Sequence, residues 1–210
     1  MQENPITYIS FFPLPFIFCL IILAVLVIRA RKKGRTYGLV TGIFGGYVIA
    51  VLMIVFFPIP VSVYWPDNLH WSNTLREIRR VNLIPLWYPG LFHFSIKSIG
   101  MLVDIVLNIL LTIPVGICVP ILKPGKPKFI LGLAFATGFL MEIAELAVQL
   151  VTGIHYHVVT MNDVVMNALG VLTGYGILIS IRWLNTQLKR GNPGNQIISQ
   201  TSQTRGNENQ

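Results

Sequence analysis

Asp163-Val-Val-Met-Asn167-Ala-Leu-Gly170-Val-Leu-Thr-Gly174-Tyr-Gly-Ile-Leu-Ile-Ser-Ile-Arg182-Trp-Leu184 is the stretch that decides the fold. No charge interrupts it between Asp163 and Arg182, and roughly 20 such residues are what a helix needs to cross a hydrocarbon core of about 30 Å. Asp163, Asn167, Gly170 and Gly174 recur at i, i+4, i+7 and i+11, a single stripe along a helix. Polar residues at its head and glycines below suit a helix that a neighbour approaches closely in one half, with a polar cavity in the other. A near copy of the opening pentapeptide, Asp104-Ile-Val-Leu-Asn108, stands at the head of another apolar run. Ionisable groups are costly in lipid, so a polar pair placed there twice marks a candidate functional site.

Composition extends this reading to the whole chain. Of its 210 residues 53% are hydrophobic and 11% charged, and the mean hydropathy is +0.66. That balance belongs to an integral membrane protein. Apolar segments at about Ile6–Ile28, Tyr37–Val63, Met101–Leu122, Phe129–Val151 and Asp163–Leu184 predict an all-α bundle of five transmembrane helices. Residues 1–36 read as an anchor helix and basic inner loop, 37–184 as the membrane domain, and 185–210 as a disordered cytoplasmic tail rich in Asn, Gln, Gly, Ser and Thr.

Arg29, Arg31, Lys32, Lys33 and Arg35 follow the first segment, nothing basic precedes it, and no small-residue cleavage pattern ends it. It therefore reads as an uncleaved anchor with its N-terminus outside. This orientation also puts Lys123, Lys126, Lys128, Arg182, Lys189, Arg190 and Arg205 inside, leaving only Arg76, Arg79, Arg80 and Lys97 of the sixteen Lys and Arg residues outside. The net charge of +8 is then largely topology, with attraction to anionic lipid on the inner face and no nucleic-acid partner implied. Cys19 and Cys118 fall inside apolar segments and read as reduced packing residues. Gly38, Gly42, Gly45 and Gly46 form a small-residue stripe in the second segment. In the long outer connection, Tyr64, Trp65, Trp71, Trp87 and Tyr88 read as interfacial anchors, and Ser72 to Arg80 as a short amphipathic helix.

Half of the eight carboxylates lie in or near the apolar runs: Asp104, Glu142, Glu145 and Asp163. At about 1.5 Å per residue, Asp104 and Asn108 lie roughly 5 and 10 Å below the outer surface, and Asp163 and Asn167 roughly 3 and 9 Å. Glu142 and Gln149 lie about 20 and 30 Å up the helix that rises from inside. All fall in the outer third of the bilayer. Asp104, Asn108, Glu142, Glu145, Asp163 and Asn167 are therefore expected to line an outer polar pocket. Such a pocket would attract a proton, a metal cation or an amine-bearing group, and Arg76, Arg79 and Arg80 above it would suit the phosphate of a lipid head group. His155 and His157 are a weak metal signal. No Ser–His arrangement, phosphate-binding Gly-rich loop or Cys-x-x-Cys is present, so neither catalysis nor a cofactor is expected.

Three blocks resemble the VanZ-like family of bacterial multi-pass membrane proteins. Val81-Asn82-Leu-Ile-Pro85-Leu86 is similar to an Asn-Leu-x-Pro-Phe block, with Leu86 where an aromatic is usual. Asn108 followed after five residues by Pro114-Val-Gly116 resembles the family's Asn-x5-Pro-x-Gly helix. Glu142 through Gly174 resembles its Glu-x-x-Gln … Asn-Asp-x-x-x-Asn-x-x-Gly-x-x-x-Gly signature, and the likeness covers about residues 81–176. The departures are Glu145 where Gln is typical, His157 where Arg is usual and Thr160 where Asp is common. A histidine at that position carries positive charge only at acidic pH. The resemblance implies motif roles for Asn82, Pro85, Pro114, Gly116, Gly170 and Gly174. It also implies a protein of the bacterial cell envelope in the plasma membrane, in a family whose founding member is linked to teicoplanin resistance, and it implies no reaction.

The leading expectation is a non-enzymatic envelope protein that binds membrane lipid, a lipid-linked cell-wall precursor or another amphiphile, with Asn82 and Pro85 shaping the outer cover. The alternatives are a small proton-coupled transporter or flippase, for which five helices would call for a homodimer; a membrane enzyme acting on lipid head groups; and polar groups that serve only as interhelical glue.

Overall fold

The computed structural model describes residues 6–9, 13–57, 59–62, 78, 81–86, 96–152 and 158–190. Within them lie strand β1 (Ile6–Ile9), helix α1 (Leu14–Arg31), helix α2 (Arg35–Val51), strand β2 (Ile59–Ser62), and helices α3 (Ile96–Leu122), α4 (Pro127–Thr152) and α5 (Met161–Arg190). Among the described residues, five helices are long and apolar enough to cross a membrane, as the apolar runs predict.

The ends of the first two runs differ from expectation, and proline accounts for it. α1 starts at Leu14, with Pro13 as its cap and Pro15 in its first turn. Proline is tolerated there because the first N–H groups have no intrahelical partner. Ile6–Ile9, expected as the start of a transmembrane helix, is instead a strand paired antiparallel with Ile59–Ser62. α2 ends in a π-helical turn at Leu52–Phe56. Phe57 is already extended, at φ −118° and ψ 147°, as the residue before Pro58 prefers. The second span therefore stops short of Val63. At the other end of the chain, α5 runs on to Arg190, so residues 185–190 of the expected tail are helical, with Lys189 and Arg190 complementing the negative end of the helix dipole. The outer aromatic anchors, Ser72 to Arg80 apart from Ile78, His155, His157 and residues 191–210 lie outside the described residues.

Backbone contacts set the helix directions. Added side-chain atoms at Gly38, Gly42 and Gly45 would meet Arg31, Val27 and Leu23 in turn, so α1 and α2 are antiparallel; Gly46 faces open space. Gly34, at φ 142°, makes the tight turn between them. α3 and α5 are parallel: Gly170 sits against Ile109, Gly174 against Ile113, and Gly116 against Val171 and Tyr175. α4 is antiparallel to α5, with Gly138 against the Val164 backbone. These contacts put Arg29, Lys33, Lys123, Lys126, Lys189 and Arg190 at one end of the bundle, the end their charge marks as inner.

Small residues form the central cluster of the core. Ala134, Ala168 and Val171 are buried with Val115 and Leu133 packed on them. Between helices in lipid no hydrophobic force operates, so close backbone packing has to supply the attraction. Pro114, inside α3, removes the N–H that the Leu110 carbonyl would accept. Beside this break the Tyr47 hydroxyl of α2 donates to the Leu111 carbonyl, the kind of outside partner that makes an intramembrane proline tolerable.

Candidate functional site

The buried face of α4 changes character halfway along. Ile130, Ala134 and Gly138 form its lower part; Glu142, Glu145, Gln149 and Thr152 form its upper part. The facing parts of the neighbours are polar at the same level: Asn108 and Thr112 on α3, and Asn162, Asp163 and Asn167 on α5. The common depth expected from helix rise is thus what the packing produces.

The start of α5 organises the cluster. Thr160 precedes the helix, and its Oγ1 accepts from the Asp163 N–H at 3.2 Å and donates to Asp163 Oδ2 at 2.9 Å. This is an N-cap with the carboxylate three residues on, the pattern of a capping box. In the usual box that carboxylate reaches back to the cap's own N–H. Here the Thr160 N–H donates instead to Glu142 Oε2 of α4, at 3.0 Å. Asp163 Oδ1 in turn accepts from Asn108 Nδ2 of α3, at 2.7 Å. One cap therefore ties together three helices.

Below it, the Thr112 hydroxyl donates to the Asn167 carbonyl at 2.7 Å. Above it, Asn82 pairs with the same cap through its backbone: its N–H donates to the Val159 carbonyl at 3.1 Å, and its carbonyl accepts the Met161 N–H at 2.8 Å. That second bond satisfies one of the orphan donors at the helix start. Asn82 Oδ1 accepts from the Ile84 N–H at 3.1 Å, turning the chain. Pro85 is exposed within that turn and Leu86 has φ 59°.

The two copies of Asp-x-x-x-Asn are not equivalent. The amide of Asn108 reaches Asp163 of the other copy, while Asp104, one turn above, is exposed. Of the six pocket residues expected from sequence, five come together and Asp104 stands apart. Glu142 and Glu145 are 5% and 7% exposed and Asn167 only 1%, so these groups form a packed polar cluster beneath the Asn82 segment. Glu142 lies within Coulomb range of both Glu145 and Asp163. Among the described residues Glu142 accepts a single hydrogen bond, from a backbone N–H, and Asn167 Oδ1 has no hydrogen-bond partner.

Sequence reasoning passed over three contributors. Thr112 continues the Asp104–Asn108 stripe by one more turn and is 1% exposed. Thr160, a departure from the family pattern, also opens a Thr-x-x-Asp cap that the sequence shows. Gly138 continues the Glu142–Glu145–Gln149 stripe one turn down, as the glycines of α5 do below Asp163 and Asn167. The motif glycines Gly116, Gly170 and Gly174 act through backbone approach; at Gly170 an added Cβ would strike Thr112 Oγ1 and the Ile109 carbonyl. Among the described residues no group of three or more His, Cys, Asp and Glu has the geometry to hold a metal.

No curated protein and no solved structure matches the chain. The VanZ/LLP1 family model matches residues 44–183, from within α2 to near the end of α5, a longer stretch than the sequence likeness. With two thirds of its length matched and the motif residues of α3, α4 and α5 meeting at one cluster, the chain belongs to the VanZ/LLP1 family.

Proposed function

We propose that this protein is a non-enzymatic component of the bacterial cell membrane. It binds a lipid-linked cell-wall component or similar amphiphile at the outer polar cluster and thereby alters susceptibility to glycopeptides such as teicoplanin. The observation that carries this reading is the burial of Glu142 and Glu145 side by side, with Asp163 in Coulomb range of Glu142. Like charges held together in a low-dielectric interior favour uptake of positive charge. A cationic group on an amphiphile, such as an amine, supplies it. The Asn82 segment, held to the cap by two backbone hydrogen bonds, is the cover such a ligand would displace or contact.

The test uses the full chain in nanodiscs and a lipid-linked precursor with a free amine, compared with the same lipid after acetylation. Binding of the first and clear weakening with the second is the expected result. Equal binding of both would overturn cation recognition. A proton-coupled carrier rests on the same three carboxylates; proton flux in proteoliposomes under a pH gradient would favour that reading over pure binding.

A further inference from the structure

At the opposite end of the bundle, a cavity of about 520 Å³ lies between α1, α2 and Leu122 of α3. It is a groove along the outside of the bundle: α1 has no buried residue and one of its faces forms a wall. Along α1 it extends from Cys19 to Ala30 and along the α2 side from Tyr37 to Leu52, about 16 and 22 Å at 1.5 Å per residue. That is half to three quarters of a hydrocarbon core of about 30 Å, room for one acyl chain that starts at head-group level. Its length is apolar, with Ile22, Leu26 and Phe44 among the lining, and its inner mouth carries Arg29 and Lys33. Among the described residues no carboxylate lines it. Tyr37 and Thr41 stand near the same mouth, where an amphipathic ring is at home.

We infer that this groove holds one anionic phospholipid of the basic-end leaflet, with its phosphate between Arg29 and Lys33 and an acyl chain along α1 and α2. Three features select that occupant: the groove opens to lipid, it is long enough for one acyl chain, and its only charges among the described residues are positive and lie at head-group level. The bound lipid fills the wedge between α1, which lies outside the family region, and the helices of residues 44–183. It is independent of the outer polar cluster and of any ligand there.

The test equilibrates the purified full chain with equal amounts of phosphatidylglycerol and phosphatidylcholine of identical acyl chains and counts bound lipids by native mass spectrometry. Wild type is expected to retain one phosphatidylglycerol preferentially. R29Q/K33Q is expected to lower the preference roughly 30-fold, from two basic contacts near an anionic surface. K32Q/R35Q removes the same charge from residues that do not line the groove and is expected to keep the preference. Ala30→Phe keeps every charge and fills the groove, and is expected to lower retention of the single lipid. Equal loss in both double variants, no loss in R29Q/K33Q, or undiminished retention in Ala30→Phe would each overturn the inference.

Discussion

Gly170→Ala is the substitution whose consequence the structure defines most sharply. An added methyl group at this position has nowhere to go, because it meets Thr112 Oγ1 and the Ile109 carbonyl of α3. The carbonyl is backbone and cannot swing aside, so α3 and α5 have to part. Overpacking of this kind costs about 1–3 kcal/mol. Parting the helices also strains the Thr112–Asn167 and Asn108–Asp163 hydrogen bonds, each worth about 0.6 kcal/mol by the average for polar pairs between membrane helices. Better helix propensity of alanine returns up to about 1 kcal/mol. The net loss is about 1–3 kcal/mol. Gly176→Ala is the internal control, on the same helix with nothing near its added Cβ, so it keeps only the propensity gain. At about 2–4 °C per kcal/mol for a chain of this size, thermal unfolding in detergent should place Gly170→Ala at least about 4 °C below Gly176→Ala. Equal unfolding temperatures would refute close α3–α5 packing as the support of the polar cluster.

Other expectations concern the cluster itself. Asn108→Ala removes the amide on Asp163 and should destabilise by about 1–3 kcal/mol, whereas Asp104→Ala, at an exposed position, should stay within about 0.5 kcal/mol of wild type; denaturant titrations of the pair would show whether the repeat is as unequal as the hydrogen bonding indicates. Thr160→Val removes the cap hydroxyl from both of its bonds to Asp163 and should cost about 1 kcal/mol. Hydrogen exchange would locate that loss in the first turn of α5, and unchanged protection there would contradict the capping role.

How far the sequence reached depends on what kind of information spacing carries. Hydropathy located all the spans because in lipid a long uncharged run has one stable outcome, the helix. Ile6–Ile9 escaped it, since a short apolar run does not distinguish helix from strand, and its partner Ile59–Ser62 is remote in sequence. The prolines at 13, 15, 58 and 60 held the correction. The common level of the polar groups within the bundle was legible, because rise per residue is constant and short connections leave few alternatives. Partnership was not: a stripe tells which face a side chain occupies, not which residue it meets across the interface. Asn108 shares a helix stripe with Asp104, yet it bonds Asp163 because parallel α3 and α5 bring those positions together. Burial was likewise out of reach. Spacing placed Glu142, Glu145 and Asn167 on facing stripes, and only the packing shows that all three are buried.

On the proposed reading the buried acids serve recognition and are more than interhelical glue. Glu142→Gln tests it most directly, because the amide keeps the shape of the side chain and an oxygen that can accept the Thr160 N–H while removing the charge. In a strain lacking the protein, with wild type and variant at equal levels in the membrane and equal thermal stability confirmed, the measurement is the return of the glycopeptide response to its wild-type level. Glu142→Gln is expected to fold normally and to fail to restore the wild-type response. Full restoration by Glu142→Gln would contradict it and leave the carboxylates as structure alone.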